Sequence, residues 1–565
     1  TAGAAAAAFD TVVVVDAGSS GCRLNVYRLS GEGDSLEFSG VAGGKIEPGL
    51  SSFADTPKDA AEYISPLLAR ASELVPPESH SATKVFIKST AGMRMLPPET
   101  QEVIYDEIHA SLAGDPSFPF ALERDAVGTI DGDMEAFFAV LSANFLAGRI
   151  DAAMRPTGHE AGEIGALDMG GASTQIIFQH KEGDRDPADQ KATSHANGWG
   201  EVEPIIPSPV SQEDFWGASH LGFGVSEVRL RIWDLLVERH RSQLTREEGA
   251  PSGLTDATVA APAAEGVSHE GGGVVVEGVL NPCSFVGRTD EWKGHRLVGS
   301  GDHSLCEDIV AAVLWGTRGY PGEEQDEEEE EGAARCGGWA ADEDRRACGV
   351  GGVDMPAPRG DFLAMSVFFY AMHAMHALAP AELPAWPTPT LSELRAAAEG
   401  FCGMDWGMLQ LRKDEVGARD AEFQTSEEGL PHRCVEVVYM TTLLRDGYGF
   451  PEHSRNVTFA LETNGMELEW TLGYALAELA RAREDDDEAA APIDLVVSHE
   501  GGHVDARTAQ CGAGEAEEGI TFVTATATAA IGEDASEEDS GERGSGGCGC
   551  NGGDGNKEHI SSSSS

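Results

Sequence analysis

Basic residues are scarce in this chain: 39 lysines and arginines stand against 96 aspartates and glutamates, a formal net charge of −57 over 565 residues. Sequence-independent nucleic-acid binding needs a basic surface to neutralise phosphates, so that class is set aside. The same acidity repels small anions, so a phosphate-bearing ligand is better received as its metal complex, whose cation cancels part of the repulsion at close range. Zinc-type CxxC pairs are missing too. The ten cysteines lie at 22, 283, 306, 336, 348, 402, 434, 511, 548 and 550, and only the last two are close together, which argues against zinc. Well-separated cysteines in mid-chain fit loop-closing disulfides and a secretory-pathway or extracellular compartment, although spacing does not give their connectivity. Asn456-Val457-Thr458 is a glycosylation sequon consistent with that compartment. The longest uncharged stretch, Phe362 to Ala381, approaches membrane-spanning length but contains Ser366, His373, His376 and Pro380, and reads as a buried helix. The chain opens Thr1-Ala2-Gly3 without an initiator Met, and Ala4 to Ala8 is too short for the apolar core of a signal peptide, so a processed or trimmed start is expected.

What is present is orderly. The length implies two lobes of α/β size plus loops or tails. The β-branched run Thr11 to Val15 is followed by the alternating segment Cys22 to Leu29, which together predict a hairpin. Its turn, Asp16-Ala17-Gly18-Ser19-Ser20-Gly21, is built from small residues that let backbone amides approach an anion. A second copy follows: Gly165 to Asp168 leads into Gly170-Gly171-Ala172-Ser173 and then the strand Thr174 to Phe178. Paired phosphate hairpins, one per lobe, are what a duplicated actin-like (RNase H-like) α/β architecture presents to a nucleotide in the cleft between its lobes. The expected boundaries are 1–150 for the first lobe, 151–460 for the second, 461–485 for a segment returning to the first, and 486–565 for an acidic, Gly/Ser-rich tail. Acid- and Gly-rich stretches at 179–210, 241–278 and 319–352 read as solvated insertions, and the end of the tail as disordered.

Asp16 and Asp168 each end a strand, which directs their carboxylates into the cleft beside the turns. There they can hold hydrated Mg²⁺ or Ca²⁺, acting through the waters of the ion. Val85-Phe86-Ile87 followed by Lys88 to Arg94 is another strand leading to a small-residue turn, with Thr90 placed to orient water or phosphate. Asp131 to Gly148 predicts a helix with Met134, Phe137, Phe138, Leu141 and Phe145 on one apolar face. Glu135 and Ser142 fall on the opposite side, so Glu135 is expected to face away from the core, toward the cleft mouth, where a carboxylate can deprotonate an attacking water.

These segments resemble the conserved regions of the apyrase family, the ectonucleoside triphosphate diphosphohydrolases and related nucleoside diphosphatases, in order from roughly Thr11 to Leu476. The first region is VVVVDAGSSGCRLNVYRL, the second IKSTAGMRML, the third GTIDGDMEAFFAVLSANFLAG, the fourth GALDMGGASTQIIF and the fifth RCVEVVYMTTLLRDGYGF; SHLGFGVSEVR from Ser219, NPC at Asn281 and WTLG at Trp470 also match the pattern. The resemblance implies Glu135 as general base, with Ser173, Thr90 and Gln175 positioning the water. It implies Ser19, Ser20, Gly21, Gly170, Gly171 and Ala172 as the phosphate-binding residues, and Asp16 and Asp168 as holding Ca²⁺ or Mg²⁺ through water. The reaction implied is direct attack of water on the terminal phosphoryl group of a nucleoside di- or triphosphate, with no phosphoenzyme. The family's paired cysteines imply Cys283–Cys306, Cys336–Cys348 and Cys402–Cys434, leaving Cys22 a free thiol. Phe369 or Tyr370 stands where the family has an aromatic against the base. Cys22 in place of Thr, Met134 and Ala136 around Glu135, and Val140 in place of Trp depart from the pattern and bear on efficiency and substrate range.

Two other readings remain open at this stage. One is an exopolyphosphatase-like enzyme of the same actin-like superfamily; the other is a weakly active or inactive homologue that binds nucleotide to switch an interaction. The SSG turn and the lysine before STAGMR resemble plant, soluble or secretory-pathway members, which tilts the substrate toward diphosphates. The compartment expected is the secretory-pathway lumen or the cell exterior, with room for a membrane anchor in a longer protein.

Overall fold

The computed structural model describes residues 10–31, 36–158, 163–179, 210, 212–249, 278–315, 350–352, 355–379, 383–419, 423, 425–463 and 465–490. Thr1–Ala489 forms one compact unit. Of the tail expected over 486–565, residues 486–490 end the helix Trp470–Ala490; the rest of the tail, most of the three expected insertions, and Cys336 and Cys348 lie outside the described residues.

The valine run forms β1 (Thr11–Ala17), which pairs antiparallel with β2 (Cys22–Ser30), itself paired antiparallel with β3 (Glu37–Ile46). On its other side β1 runs parallel to β4 (Lys84–Ser89), and β4 to β5 (Val127–Thr129), for a sheet of order β3-β2-β1-β4-β5. The run is apolar throughout because both faces of the sheet are covered. Val13 and Val15 enter a core with Ile64 and Leu68 of the helix Asp59–Leu74 and Ile104 and Ile108 of the helix Pro98–Gly114. Val12 and Val14, on the other face by the period of two, pack with Phe137 and Leu141 of the helix Gly132–Leu146 and Leu472 and Leu476 of the helix Trp470–Ala490.

The second lobe repeats this plan. β6 (Gly165–Met169) and β7 (Ser173–Gln179) form the second hairpin, and β8 (Phe215–Leu221) adds antiparallel to β7. A separate small sheet, β9 (Val279–Asn281), β10 (Thr289–Trp292) and β11 (His295–Gly299), precedes the last two strands of the main sheet. β12 (Phe362–Ala364) and β13 (Val457–Phe459) then continue the main sheet in parallel beside β6, giving the order β13-β12-β6-β7-β8. Hairpin, antiparallel third strand and two parallel strands recur in the same order and directions, so the duplication read from the two Asp–Gly turns extends to the whole of both sheets.

Two expectations are corrected. Phe362 to Ala381 is not one helix: Phe362–Ala364 is β12, and the helix is Val367–Leu378, starting after Ser366 at φ 56°. A short apolar run does not reveal by periodicity whether it is a strand or a helix, and here two waiting strand edges decide it. Nor does Glu135 face away from the core. Of the helix Gly132–Leu146 only Gly132, Asp133 and Phe145 escape burial, and Glu135 is 6% exposed. The strands β6, β7 and β8 cover one side of this helix, and the helix Trp470–Ala490 packs in the same core. Ser142, from the supposed outer face, donates to Glu469 O (2.6 Å) and accepts from Gly473 N (2.8 Å).

Cys283–Cys306 and Cys402–Cys434 are disulfide-bonded, and Cys22 is a buried free thiol whose pKa burial pushes up to about 12. Among the described residues no helix is long and apolar enough to cross a membrane.

Candidate active site

The two hairpins turn toward each other. A Cβ placed on Gly171 would lie 2.6 Å from Ser19 Oγ, so the two turns meet nearly in contact. Between them opens a cleft bordered by Asp16, Ser19, Ser20, Gly21, Thr90, Glu135, Asp168, Gly170, Gly171 and Ser173, together with Arg23, Lys45, Ser366, Glu469 and Trp470. Of the residues singled out from sequence, Ala172 and Gln175 do not border it. Ala172 is buried behind its turn, its carbonyl accepting from Gly222 N (2.7 Å), and Gln175 stands one layer back. The Gly170 amide is committed to Ser173 O (2.9 Å), which closes the second turn.

Glu135 enters from the first turn of its helix, whose N-cap Asp131 accepts from Met134 N (2.7 Å). Its Oε2 accepts from Arg94 Nη2 (2.7 Å) and from Gln175 Nε2 (3.0 Å). The same two donors reach Ser173 Oγ, at 3.2 and 2.8 Å, and Gln175 also donates to Ser219 Oγ (3.1 Å). Arg94 is fixed in turn by Ile130 O (3.1 Å). Burial raises the Glu135 carboxyl above the ordinary glutamate range, and the Arg94 charge opposes that rise.

The two strand-end aspartates are disposed alike. Asp16 pairs directly with Arg23 across β1–β2, and Asp168 with Gln175 across β6–β7. Burial raises Asp168 to about 7, with the Glu135 charge adding to the rise and a hydrogen bond from Ser366 opposing it. Asp16 is raised well above the usual range by burial, with Arg23 opposing and Glu469, Glu135 and Asp168 adding to it; its Oδ1 is buried without a hydrogen-bond partner among the described residues. The nearby cations are engaged elsewhere: Arg94 by Glu135, Lys45 by Glu47 (2.6 Å), and Arg23 by Glu469 (3.0 Å). Among the described residues no three His, Cys, Asp or Glu side chains gather closely enough to ligate a metal directly.

Sequence reasoning passed over Arg94, Arg23 and Glu469. Arg94 closes the STAGMR segment, and its signal was a lone cation in a turn otherwise made of small residues. Arg23 is the cross-strand neighbour of Asp16, readable once the hairpin is drawn. Glu469, next to Trp470, gave no local signal. Phe369 stacks on His373 (5.1 Å between centroids) and Tyr370 OH donates to Glu467 (3.4 Å), both on the helix whose first residue, Val367, borders the cleft.

The sequence profile of the GDA1/CD39 (nucleoside phosphatase) family matches residues 8–317 and 339–487. The chain belongs to that family. Ectonucleoside triphosphate diphosphohydrolase 7 of Mus musculus is 27% identical over 492 residues, spanning 82% of this chain and 72% of that protein. A guanosine-diphosphatase of Schizosaccharomyces pombe is 26% identical over 486 residues, 83% of this chain and 73% of its own. The crystal structure of a nucleoside triphosphate hydrolase from Neospora caninum has a TM-score of 0.51 at 16% identity, covering 84% of this chain and 93% of that one, a likeness of fold alone. This GDA1/CD39 chain thus has the two-lobed, actin-like α/β architecture that its paired hairpins implied. Four of the five regions line or back the cleft. The fifth forms the helix Arg433–Thr442 and the π-helical segment Leu443–Gly447, and supports the second hairpin through Tyr448 OH and Thr174 Oγ1 (3.1 Å).

Proposed function

We propose that this GDA1/CD39 protein hydrolyses nucleoside di- and triphosphates, releasing orthophosphate by direct attack of a water that Glu135 deprotonates. The observation that carries the reading is the setting of Glu135: a buried carboxylate at the cleft, both of whose contacts, from Arg94 and Gln175, fall on Oε2. That leaves Oε1 to take the proton. A carboxyl raised by burial is a stronger base than an exposed glutamate, and the Arg94 charge opposes that rise. Ser173 Oγ, fixed by Arg94 and Gln175, orients the water from the second hairpin, and Thr90, buried at the end of β4, does so from the first lobe. As the water oxygen bonds to phosphorus, the bond to the leaving phosphate oxygen breaks, and the water's proton passes to Glu135. The turns at Ser19–Gly21 and Gly170–Gly171 hold the phosphoryl oxygens, with the Gly170 amide spent inside its own turn and Ala172 behind it.

The residues present fit a hydrated Ca²⁺ or Mg²⁺. Among the described residues Asp16 Oδ1 is buried and unpartnered, no cation pairs with Asp16 or Asp168, and the two carboxylates are too few to cage an ion directly, which suits a cation that keeps its waters. When bound, such a cation supplies charge neutralisation at the phosphates. Asp16 and Asp168 would hold it through its waters, and its charge would keep both carboxyls ionised at neutral pH. The disulfides and the exposed Asn456 of the sequon favour the secretory-pathway lumen or the cell exterior, and the resemblance of the first two regions favours diphosphates.

Phosphate release from a panel of nucleoside di- and triphosphates with Ca²⁺, Mg²⁺ or EDTA tests the proposal, with Glu135→Gln assayed beside the wild type. Cation-dependent release that falls at least about 10²-fold in the variant is expected, the scale of a general base. Nucleotide binding without release from the wild type would sink it.

A further inference from the structure

Asp16 and Arg23 are directly opposite in the β1–β2 pair, so their side chains leave the same face of the sheet from Cβ atoms about 5 Å apart. A guanidinium so placed normally closes on the carboxylate beside it. Here it does not. Arg23 Nη1 donates to Glu469 Oε1 (3.0 Å), and Asp16 Oδ1 stays buried with no hydrogen-bond partner among the described residues. Glu469 is well anchored for this competition: its Oε2 accepts from Asn25 Nδ2 (2.8 Å) and Thr471 Oγ1 (3.3 Å), and its main-chain carbonyl accepts from Ser142 Oγ (2.6 Å). The second lobe shows why a competitor is needed only once. The residue opposite Asp168 is Gln175, which carries no charge to neutralise its neighbour and donates to Glu135 instead.

We propose that Glu469 is a positioning residue that holds the Arg23 guanidinium away from Asp16, leaving the Asp16 carboxylate available to the hydrated divalent cation. The inference rests on the reading of Asp16 as a cation-holding group. Without Glu469, Arg23 has Asp16 as its cross-strand carboxylate and closes on it. The lost interaction is then that of Asp16 with the waters of the ion, and the lesion lies in Arg23, not in the missing carboxylate itself.

The test is calorimetric titration of Mg²⁺ into the protein carrying a non-hydrolysable nucleoside diphosphate analogue, so that no turnover is involved. Glu469→Gln is expected to weaken Mg²⁺ binding about tenfold or more, the usual size of effect for a partner that orients a metal-holding group. The double variant Glu469→Gln/Arg23→Gln is expected to recover to within about threefold of wild type, although it carries one more change. Arg23→Gln alone is expected to stay within about threefold, because Asp16 is already free. A double variant no better than Glu469→Gln overturns the proposal. So does a tenfold tightening in Arg23→Gln alone, which would mean that only the summed charge of the cleft matters; that arm decides the matter if Glu469→Gln does not fold. A wild type that binds neither Mg²⁺ nor Ca²⁺ defeats the cation reading and this inference together, whereas binding that is unmoved across the variants defeats the inference alone.

Discussion

Replacing Arg94 with glutamine separates the electrostatic from the structural role of the pocket around Glu135. Arg94 and Glu135 form a contact of 2.7 Å with side-chain exposures of 13% and 8%, so little solvent screens the pair. Breaking a buried pair from one side costs about 3–5 kcal/mol, because the other charge is left uncompensated. Glutamine retains a donor for Ile130 O but not the charge. The Glu135 carboxyl, already raised by burial, loses its main opposing influence and rises further. The acid limb of the kcat/KM profile should therefore move toward higher pH by at least about one unit, the smaller end of what an adjacent guanidinium does. The stability loss should follow the same titration. A carboxyl with a raised folded pKa contributes stability that is fully present below its unfolded value and lost as pH rises through the folded one. The variant should thus approach wild-type stability near pH 4 and fall behind as pH rises toward neutrality. Phosphate release from pH 5 to 9 and melting temperatures from pH 4 to 8, both at saturating Mg²⁺, measure the two effects. An acid limb that stays in place, with a deficit in melting temperature independent of pH, would refute the reasoning.

Two further outcomes follow from the same geometry. A Cβ on Gly473 would lie 2.0 Å from Phe138 O and 3.0 Å from Ser142 Oγ, where two helices cross. Gly473→Ala should therefore cost about 1–3 kcal/mol, read as a lower urea midpoint, and it should reduce activity by displacing Ser142 from Glu469; a midpoint equal to wild type would contradict the crossing. Asp168, raised to about 7 by burial first and the Glu135 charge second, must lose its proton to hold the cation. The cation-induced rise in melting temperature should then be large at pH 7.5 and shrink as pH falls below about 7. In EDTA the sign reverses: Asp168 contributes stability below its unfolded pKa that is lost as pH rises toward about 7. Equal cation-induced shifts at pH 5.5 and 7.5 would count against Asp168 as a cation-holding group.

Much of the site was legible because its signals are local. A β-branched run, an Asp at its end and a turn of small residues define each hairpin within a few residues, and their repetition pointed to two lobes with a cleft between them. The resemblance to the apyrase family rested on those same segments, and the family match spans them. The helix carrying Glu135 was also read from its period, but its environment was not. Periodicity identifies an apolar face; it does not count how many neighbours cover a helix, and here strands and the helix Trp470–Ala490 leave it almost no free face. β12 was hidden for a related reason, since three residues become a strand only where β6 and β13 offer edges on both sides.

By itself, then, the sequence determined the two Gly-rich turns, their aspartates and the helix that bears Glu135, because each depends on residues adjacent in the chain. The tertiary structure alone decided which charges are paired. Arg23 and Glu469 are 446 residues apart and Arg94 and Glu135 are 41 apart, and no local pattern encodes which carboxylate captures a guanidinium when several converge on one cleft. That choice is made by the packing that brings them together and by the desolvation that makes an unpaired charge costly there.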